Sequence, residues 1–197
     1  MKKRNKILLF ITSFITILLI ILKVFFSENL NQIDLNFSNA FFSIRNDTLS
    51  LIMKFITIYA STSLMFVATV LDIGFSNNFV FAVGFGSNAL LVKFLKNIFK
   101  RPRPTNQLIK EYSYSFPSGH SASALFYYGY IIYKVYDSDM SKKKKSCIIT
   151  FLVLLILLIG FSRIYLGVHY LSDVLFGYSF SLTTLNIFLH IRNKYFS

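Results

Sequence analysis

Apolar residues gather in six runs, at 7–26, 51–71, 73–92, roughly 118–136, 147–162 and about 170–190. A helix needs about 20 largely apolar residues to cross the hydrocarbon core of a bilayer, and runs of that length exceed what an ordinary core helix requires. The run 147–162 carries no charge, and neither does 73–92. Each of the others is broken by one or two polar residues: Lys23, Lys54, His120 with Lys134, and Asp173 with His190. The fold this dictates is all-α, a six-transmembrane-helix bundle forming one domain over 1–197.

Composition supports that reading. Hydrophobic residues make up 54% of 197 and the mean hydropathy is +0.57, above the soluble globular range. The formal net charge of +13 would point to nucleic acid in a soluble chain. No nucleic-acid-binding motif is present, however, and the basic residues flank the apolar runs, so the bilayer's anionic headgroups are the expected partner. Lys2, Lys3, Arg4 and Lys6 precede the first run, Lys142 to Lys145 separate the fourth and fifth, and Arg192 and Lys194 follow the sixth. Six crossings put all three groups, and both termini, on one side, which the positive-inside rule makes the cytoplasm.

The first run is long for a signal-peptide core and is followed by Phe25-Phe26-Ser27-Glu28-Asn29 without a small-x-small cleavage site, so a retained anchor is expected. Between the first two runs, 28–50 carries Leu30, Ile33, Phe37, Phe41 and Ile44 at helical spacing. This predicts an interfacial amphipathic helix on the outer surface, acting as a lid for lipid or as a connector packed on the bundle. The single cysteine, Cys147, excludes an intrachain disulfide and reads as a small apolar residue at a helix end.

Three clusters carry the chemistry, and all fall at ends of runs. In Ser162-Arg163-x5-His169-x3-Asp173 the histidine and aspartate share a face if the stretch is helical. A carboxylate accepting from one imidazole nitrogen leaves the other free as a nucleophile, and an aspartate inside an apolar run is a functional candidate; the bland alternative is a buried polar pair pinning two helices. Pro117-Ser118-Gly119-His120 reads as a helix start with Ser118 as N-cap, an end where free N–H groups favour an anion. His120 in the first turn is placed to protonate a leaving oxygen. Lys96 and Arg103 bring cations, and Glu111 is the only carboxylate between 93 and 117. With Arg163 they suit a phosphoryl group and offset the charge of its transition state. Lys93, Lys100, Arg101 and Lys110 are read as binding lipid headgroups or water. No carboxylate cluster able to hold magnesium shares that face, so no metal and no cofactor is expected. His190 is read as an interfacial residue at the opposite end.

Lys96-x6-Arg103-Pro104, then Pro-Ser-Gly-His, then Ser-Arg-x5-His-x3-Asp, in this order over about 96–177, resembles the type 2 phosphatidic acid phosphatase superfamily. The resemblance implies a six-helix membrane fold with its site near the extracytoplasmic face and a motif-bearing core of about 90–180. It implies that His169 attacks phosphorus to form a phosphohistidine, that Asp173 orients it, and that His120 protonates the leaving group and later activates water. Lys96, Arg103, Ser118, Gly119 and Arg163 would hold the phosphate. The expected substrate is a phosphorylated lipid, a polyprenyl diphosphate first and phosphatidylglycerophosphate or phosphatidic acid next. A lipid phosphotransferase of the same superfamily is the nearest alternative, and a non-catalytic phospholipid-binding membrane protein a more distant one. The soluble haloperoxidases of the superfamily are excluded by the six apolar runs. Neither nucleic acid nor a definite oligomeric state is implied.

Overall fold

The computed structural model of the protein describes residues 3–25, 27–59, 61–76 and 79–196. Eight helices are described, with no strand among these residues: α1 (Lys3–Phe25), α2 (Ser27–Ser43), α3 (Asp47–Tyr59), α4 (Thr62–Ser76), α5 (Phe79–Phe99), α6 (Gly119–Asp137), α7 (Lys142–Tyr165) and α8 (Leu171–Tyr195). Four stretches are long and apolar enough to cross a bilayer: Asp47–Leu71, formed by α3 and α4 together, and α5, α7 and α8. A fifth is possible by length if Leu9–Phe25 and Glu28–Ser43 count as one span, but these two meet at 101°. α6, the fourth expected span, is a continuous helix that does not reach the same apolar threshold. The protein is thus a multi-pass, all-helical membrane protein, and the count of six rests on the sequence expectation.

Helices extend beyond the apolar runs where charged residues continue them. The third run was expected to end at residue 92, yet α5 continues to Phe99, carrying Lys93 and Lys96 in its last two turns. A long basic side chain at a helix end reaches out of the apolar layer without breaking the helix. The lysine run 142–145 likewise opens α7 instead of lying in a loop.

α6 packs against α5, α7 and α8, α1 lies along α8, and α3 lies along α7. The core is aromatic: Phe81, Phe85, Phe126 and Tyr130 gather with Met65, Ile159 and Leu185, and the Phe81 and Tyr130 rings stack at 4.2 Å. Hydroxyl and amide groups join helices where no hydrophobic effect operates between them. Ser181 and Thr184 of α8 donate to Asn88 Oδ1 of α5 at 3.0 and 2.8 Å, and Thr16 of α1 exchanges hydrogen bonds with Ser179 and Thr183 of α8. Outward-facing large residues such as Phe14, Phe55, Phe66, Leu90, Phe94, Phe151 and Leu154 are exposed on every side. Such a surface would be untenable in water and is what lipid requires.

α2 is a helix, as its spacing indicates, but its apolar stripe faces outward. Ile33 and Phe37 are 49% and 45% exposed, whereas Asp34 and Ser38 are buried. α2 therefore offers apolar side chains to the surroundings and polar ones to the ends of α7 and α8, with Phe41 edge-on to Phe161.

Candidate active site

The three sequence clusters meet at one end of the bundle. Lys96 ends α5, residues 100–118 form an irregular loop, Ser118 to His120 open α6, Arg163 ends α7, and His169 and Asp173 flank the start of α8. Lys134, Lys142 and Arg192 lie at the other end.

Ser118 is the N-cap of α6, as expected: its Oγ accepts from Ser121 N. The first helical bond after the cap runs from Ala122 N to Ser118 O at 3.1 Å, so the amides of Gly119 and His120 lie ahead of the helix's own hydrogen bonding. Ser118 itself is turned inward, with its N–H donating to the Asp173 carbonyl at 3.0 Å and its hydroxyl paired with Ser121 Oγ. A Cβ on Gly119 would meet only Lys96 Cε, at 4.0 Å, so packing alone does not demand glycine there. Gly177 is more constrained: a Cβ would lie 2.8 Å from Ser118 O, so glycine lets α8 pass close to the start of α6. The turn after α7 is closed by Gly167 at φ +68, a left-handed conformation that favours glycine.

His169 is buried, and its two nitrogens have different surroundings. Nδ1 faces Asp173 Oδ2 at 3.4 Å and Ser115 Oγ at 3.5 Å, while Nε2 lies 3.2 Å from Arg103 Nη1. Because a guanidinium only donates, the hydrogen-bond pattern assigns Nε2 as acceptor and Nδ1 as the protonated nitrogen. Burial, reinforced by Lys96 and Arg103, pushes the His169 pKa from 6.5 to about 3 against the opposing pull of Asp173. The imidazole is therefore neutral, with its lone pair on Nε2 turned to Arg103. Asp173 is held on both oxygens: Oδ2 accepts from Ser115 Oγ and from Tyr170 N at 2.9 Å, and Oδ1 accepts from Arg101 Nη1 at 2.6 Å.

Arg103 is braced by loop carbonyls, donating to Ser113 O and Val168 O at 2.6 Å each. Burial lowers its pKa, but Glu111 and Asp173 oppose that drop. Lys96 Nζ donates to Tyr114 O and to Ser115 O at 3.2 Å. Arg163 is buried, with Nη1 donating to Thr57 and Nη2 to Glu111, and its Nε has no hydrogen-bond partner among the described residues. His120, in the first turn of α6, is half-buried and lies within electrostatic reach of Arg163, His169, Arg103 and Lys96. A cavity of about 370 Å³ opens beside Arg103, lined also by Pro104, Gln107, Glu111, Tyr112 and Tyr114.

Two expectations are corrected. Arg101 is no headgroup-binding surface residue: it is 7% exposed and bridges Asp173 with Asp34 of α2, whereas Lys93, Lys100 and Lys110 are exposed as expected. These carboxylates outweigh the lowering effect of burial and raise the Arg101 pKa. Nor are the cations without an acidic neighbour: Glu111, the single carboxylate between 93 and 117, binds Arg163 and lies 3.8 Å from Arg103. Sequence reading also passed over Asp34, Ser115, Ser172 and Thr57. Only Asp34 left a signal, a lone carboxylate between Ile33 and Leu35 in an apolar pattern. His190 is exposed and follows most of α8, far along the helix from Asp173.

A family model described as the PAP2 superfamily matches residues 78–197. Phosphatidylglycerophosphatase B of Bacillus subtilis (strain 168) is 45% identical over 101 residues, covering 50% of this chain and 49% of that protein. Dolichyldiphosphatase of Saccharomyces cerevisiae is 32% identical over 120 residues, 55% of this chain and 50% of that one. The chain thus aligns with about half the length of these curated relatives. The crystal structure of a transmembrane PAP2 type phosphatidylglycerolphosphate phosphatase from Bacillus subtilis superposes with a TM-score of 0.83 at 28% identity, over 95% of this chain and 96% of that one. LpxE of Aquifex aeolicus shares the fold, with a TM-score of 0.63 at 22% identity over 80% and 95%. The helical membrane bundle, the ordered motifs gathered at its one end and a family match over well over half its length together establish that this chain belongs to the PAP2 superfamily.

Proposed function

We propose that this protein is a membrane lipid phosphatase that hydrolyses a lipid phosphate monoester or diphosphate through a phosphohistidine on His169. The observation that carries the reading is the orientation of that imidazole: Nδ1 on Asp173, Nε2 beside Arg103, within a cluster of cations. In the first step Nε2 attacks phosphorus, the bond to the lipid oxygen breaks, and His120 gives that oxygen a proton. Asp173 stabilises the positive charge that develops on the ring. In the second step His120 takes a proton from water, the hydroxide attacks the phosphohistidine, and inorganic phosphate leaves with His169 restored. Lys96, Arg103 and Arg163 offset the charge gathering on the phosphoryl oxygens, and the amides at the start of α6 add donors. The unpartnered Nε of Arg163 suits a ligand oxygen.

Phosphatidylglycerophosphate is the substrate we put first, because the Bacillus subtilis relatives so named include both a 45% identical stretch and a near-full-length superposition. A polyprenyl diphosphate, the first choice on sequence, is the second reading, supported by the likeness to dolichyldiphosphatase. By the positive-inside rule the site faces outward, with both termini in the cytoplasm.

The test is phosphate release by detergent-purified protein in excess EDTA. Phosphatidylglycerophosphate, a polyprenyl diphosphate, phosphatidic acid and a soluble ester are each run beside His169→Ala. EDTA-resistant release that disappears in the variant supports the reading, and the ranking of kcat/KM names the substrate. No free phosphate, but a phosphorylated product when a lipid alcohol acceptor is added, identifies a phosphotransferase. Neither release nor transfer by folded protein overturns the enzymatic reading.

A further inference from the structure

α2 sends one carboxylate inward. Asp34 is 1% exposed, although its neighbours Ile33 and Leu35 are 49% and 44% exposed. A buried charge persists only when it is paired and hydrogen-bonded, and Asp34 is both. Its Oδ2 accepts from Arg101 Nη2 at 2.7 Å and from Ser172 Oγ at 2.5 Å, and its Oδ1 accepts from Ser172 N at 2.9 Å. Arg101 in turn donates from Nη1 to Ser172 Oγ at 2.8 Å and to Asp173 Oδ1 at 2.6 Å. A continuous chain of short contacts therefore runs from α2 to the carboxylate facing His169.

We propose that Asp34 is a positioning residue for the His169–Asp173 pair, acting through Arg101 and Ser172 without touching substrate. The inference rests on the proposed phosphohistidine reaction for its kinetic consequences. Two effects follow from the geometry. The first is orientation: Arg101, itself held by Asp34 and Ser172, fixes Oδ1 of Asp173, so that Oδ2 stays on the His169 side. The second is charge. One guanidinium shared between two carboxylates neutralises neither, so Asp173 retains negative charge to stabilise the ring as it is phosphorylated. With Asp34 neutralised, Arg101 and Asp173 become a closed pair, and Asp173 is a weaker partner for a charged imidazole.

Asp34→Asn is nearly isosteric and keeps an oxygen for Ser172 N–H, so the fold has the least reason to fail. The expected result is a kcat lowered about tenfold or more with KM within about twofold, and recovery of much of that loss in Asp34→Glu. Arg101→Met isolates the relay: Asp34→Asn combined with Arg101→Met turns over about as fast as Arg101→Met alone, because the second change removes a link already cut. Ser172→Ala, which removes the bridging hydroxyl and no charge, lowers kcat by a smaller factor at constant KM and stands in if Asp34→Asn does not fold. A wild-type kcat in Asp34→Asn, losses that multiply in the double variant, or a rise in KM matching the fall in kcat would each overturn the proposal. Wild-type protein that releases no phosphate overturns the proposed function instead. The positioning claim is then read directly from 15N shifts of the His169 ring in labelled protein. An Nδ1–H tautomer in the wild type that is lost in Asp34→Asn supports it, and an unchanged tautomer refutes it.

Discussion

At the scale of single residues, the different surroundings of the two ring nitrogens of His169 suit the proposed nucleophile better than a structural histidine. Nε2 has a guanidinium as neighbour and no acid to occupy it, so removal of the ring should abolish chemistry and not binding. His169→Ala is expected to lower kcat on the order of 10^4-fold or more, while His190→Ala, exposed at the far end of α8, leaves kcat/KM within about twofold. Phosphate release by both variants on the same lipid checks the contrast. A pH consequence follows from burial. His169 has its pKa lowered from 6.5 to about 3, so it resists protonation in the folded protein and accepts it readily when unfolded. Its contribution to stability is therefore complete above 6.5 and fades as pH falls toward 3, and the acid limb that it imposes on kcat/KM lies well below 6.5. A profile between pH 4 and 8 reads this, and an Asp34→Asn profile run beside it separates the nucleophile from other groups. Arg101 and Arg103, two positions apart, should fail differently. Arg103 faces the imidazole, so its loss raises KM, whereas Arg101, although it also borders the cavity, is held between two carboxylates, so its loss lowers kcat.

At the scale of elements, the loop 100–118 does more than join α5 to α6. It delivers Glu111 to the guanidinium groups of Arg163 and Arg103, where a phosphoryl group of the proposed substrate would compete with it. Glu111→Gln removes that competing charge and is expected to tighten inhibition by inorganic phosphate severalfold, because each nearby like charge removed favours an anion. Inhibition constants for the two proteins, measured at fixed ionic strength, test it. The meeting of α6 and α8 is a second element-scale feature. Gly177 lets α8 pass within van der Waals reach of the Ser118 carbonyl, and a Cβ there would sit 2.8 Å from that oxygen. Gly177→Ala forces the two helices apart at the point where Ser118 N bonds the Asp173 carbonyl. A loss of about 1–3 kcal/mol in stability is expected, with activity falling too, measured as thermal unfolding and turnover in the same detergent. α2 shows why an amphipathic pattern does not say which face packs. In water the apolar stripe would turn inward, but beside a bilayer the apolar face has a solvent of its own and the polar face seeks the protein.

At the scale of the whole molecule, the two ends of the bundle carry different residues. One end holds the candidate site and the other holds Lys134, Lys142 to Lys145, Arg192 and Lys194, near the exposed Cys147. As the single cysteine, Cys147 reports orientation without engineering. In intact cells a membrane-impermeant maleimide is expected to leave Cys147 unlabelled while labelling Tyr112→Cys, since Tyr112 is 93% exposed at the site end. Labelling of Cys147 from outside would invert the topology.

The sequence by itself determined the membrane setting and the helical class, and it singled out eight candidate site residues. These are one-dimensional properties: runs long enough to cross lipid, and histidines, cations and an aspartate at fixed spacings along helices that start or stop beside them. His169 and Asp173 were legible as a histidine and a carboxylate four positions apart, although His169 lies in the turn ahead of α8 and not on its face, and Ser118 because a cap is a local device. Only the tertiary structure decided what those residues touch. That Arg101 is buried and Lys100 is not, that Glu111 sits on Arg163, and that Asp34 reaches Ser172 across 138 positions depend on how helix ends converge. Pairing of charges between elements is a contact at long sequence separation. Electrostatic attraction then selects, among many basic residues of similar local context, the few that face a carboxylate out of water.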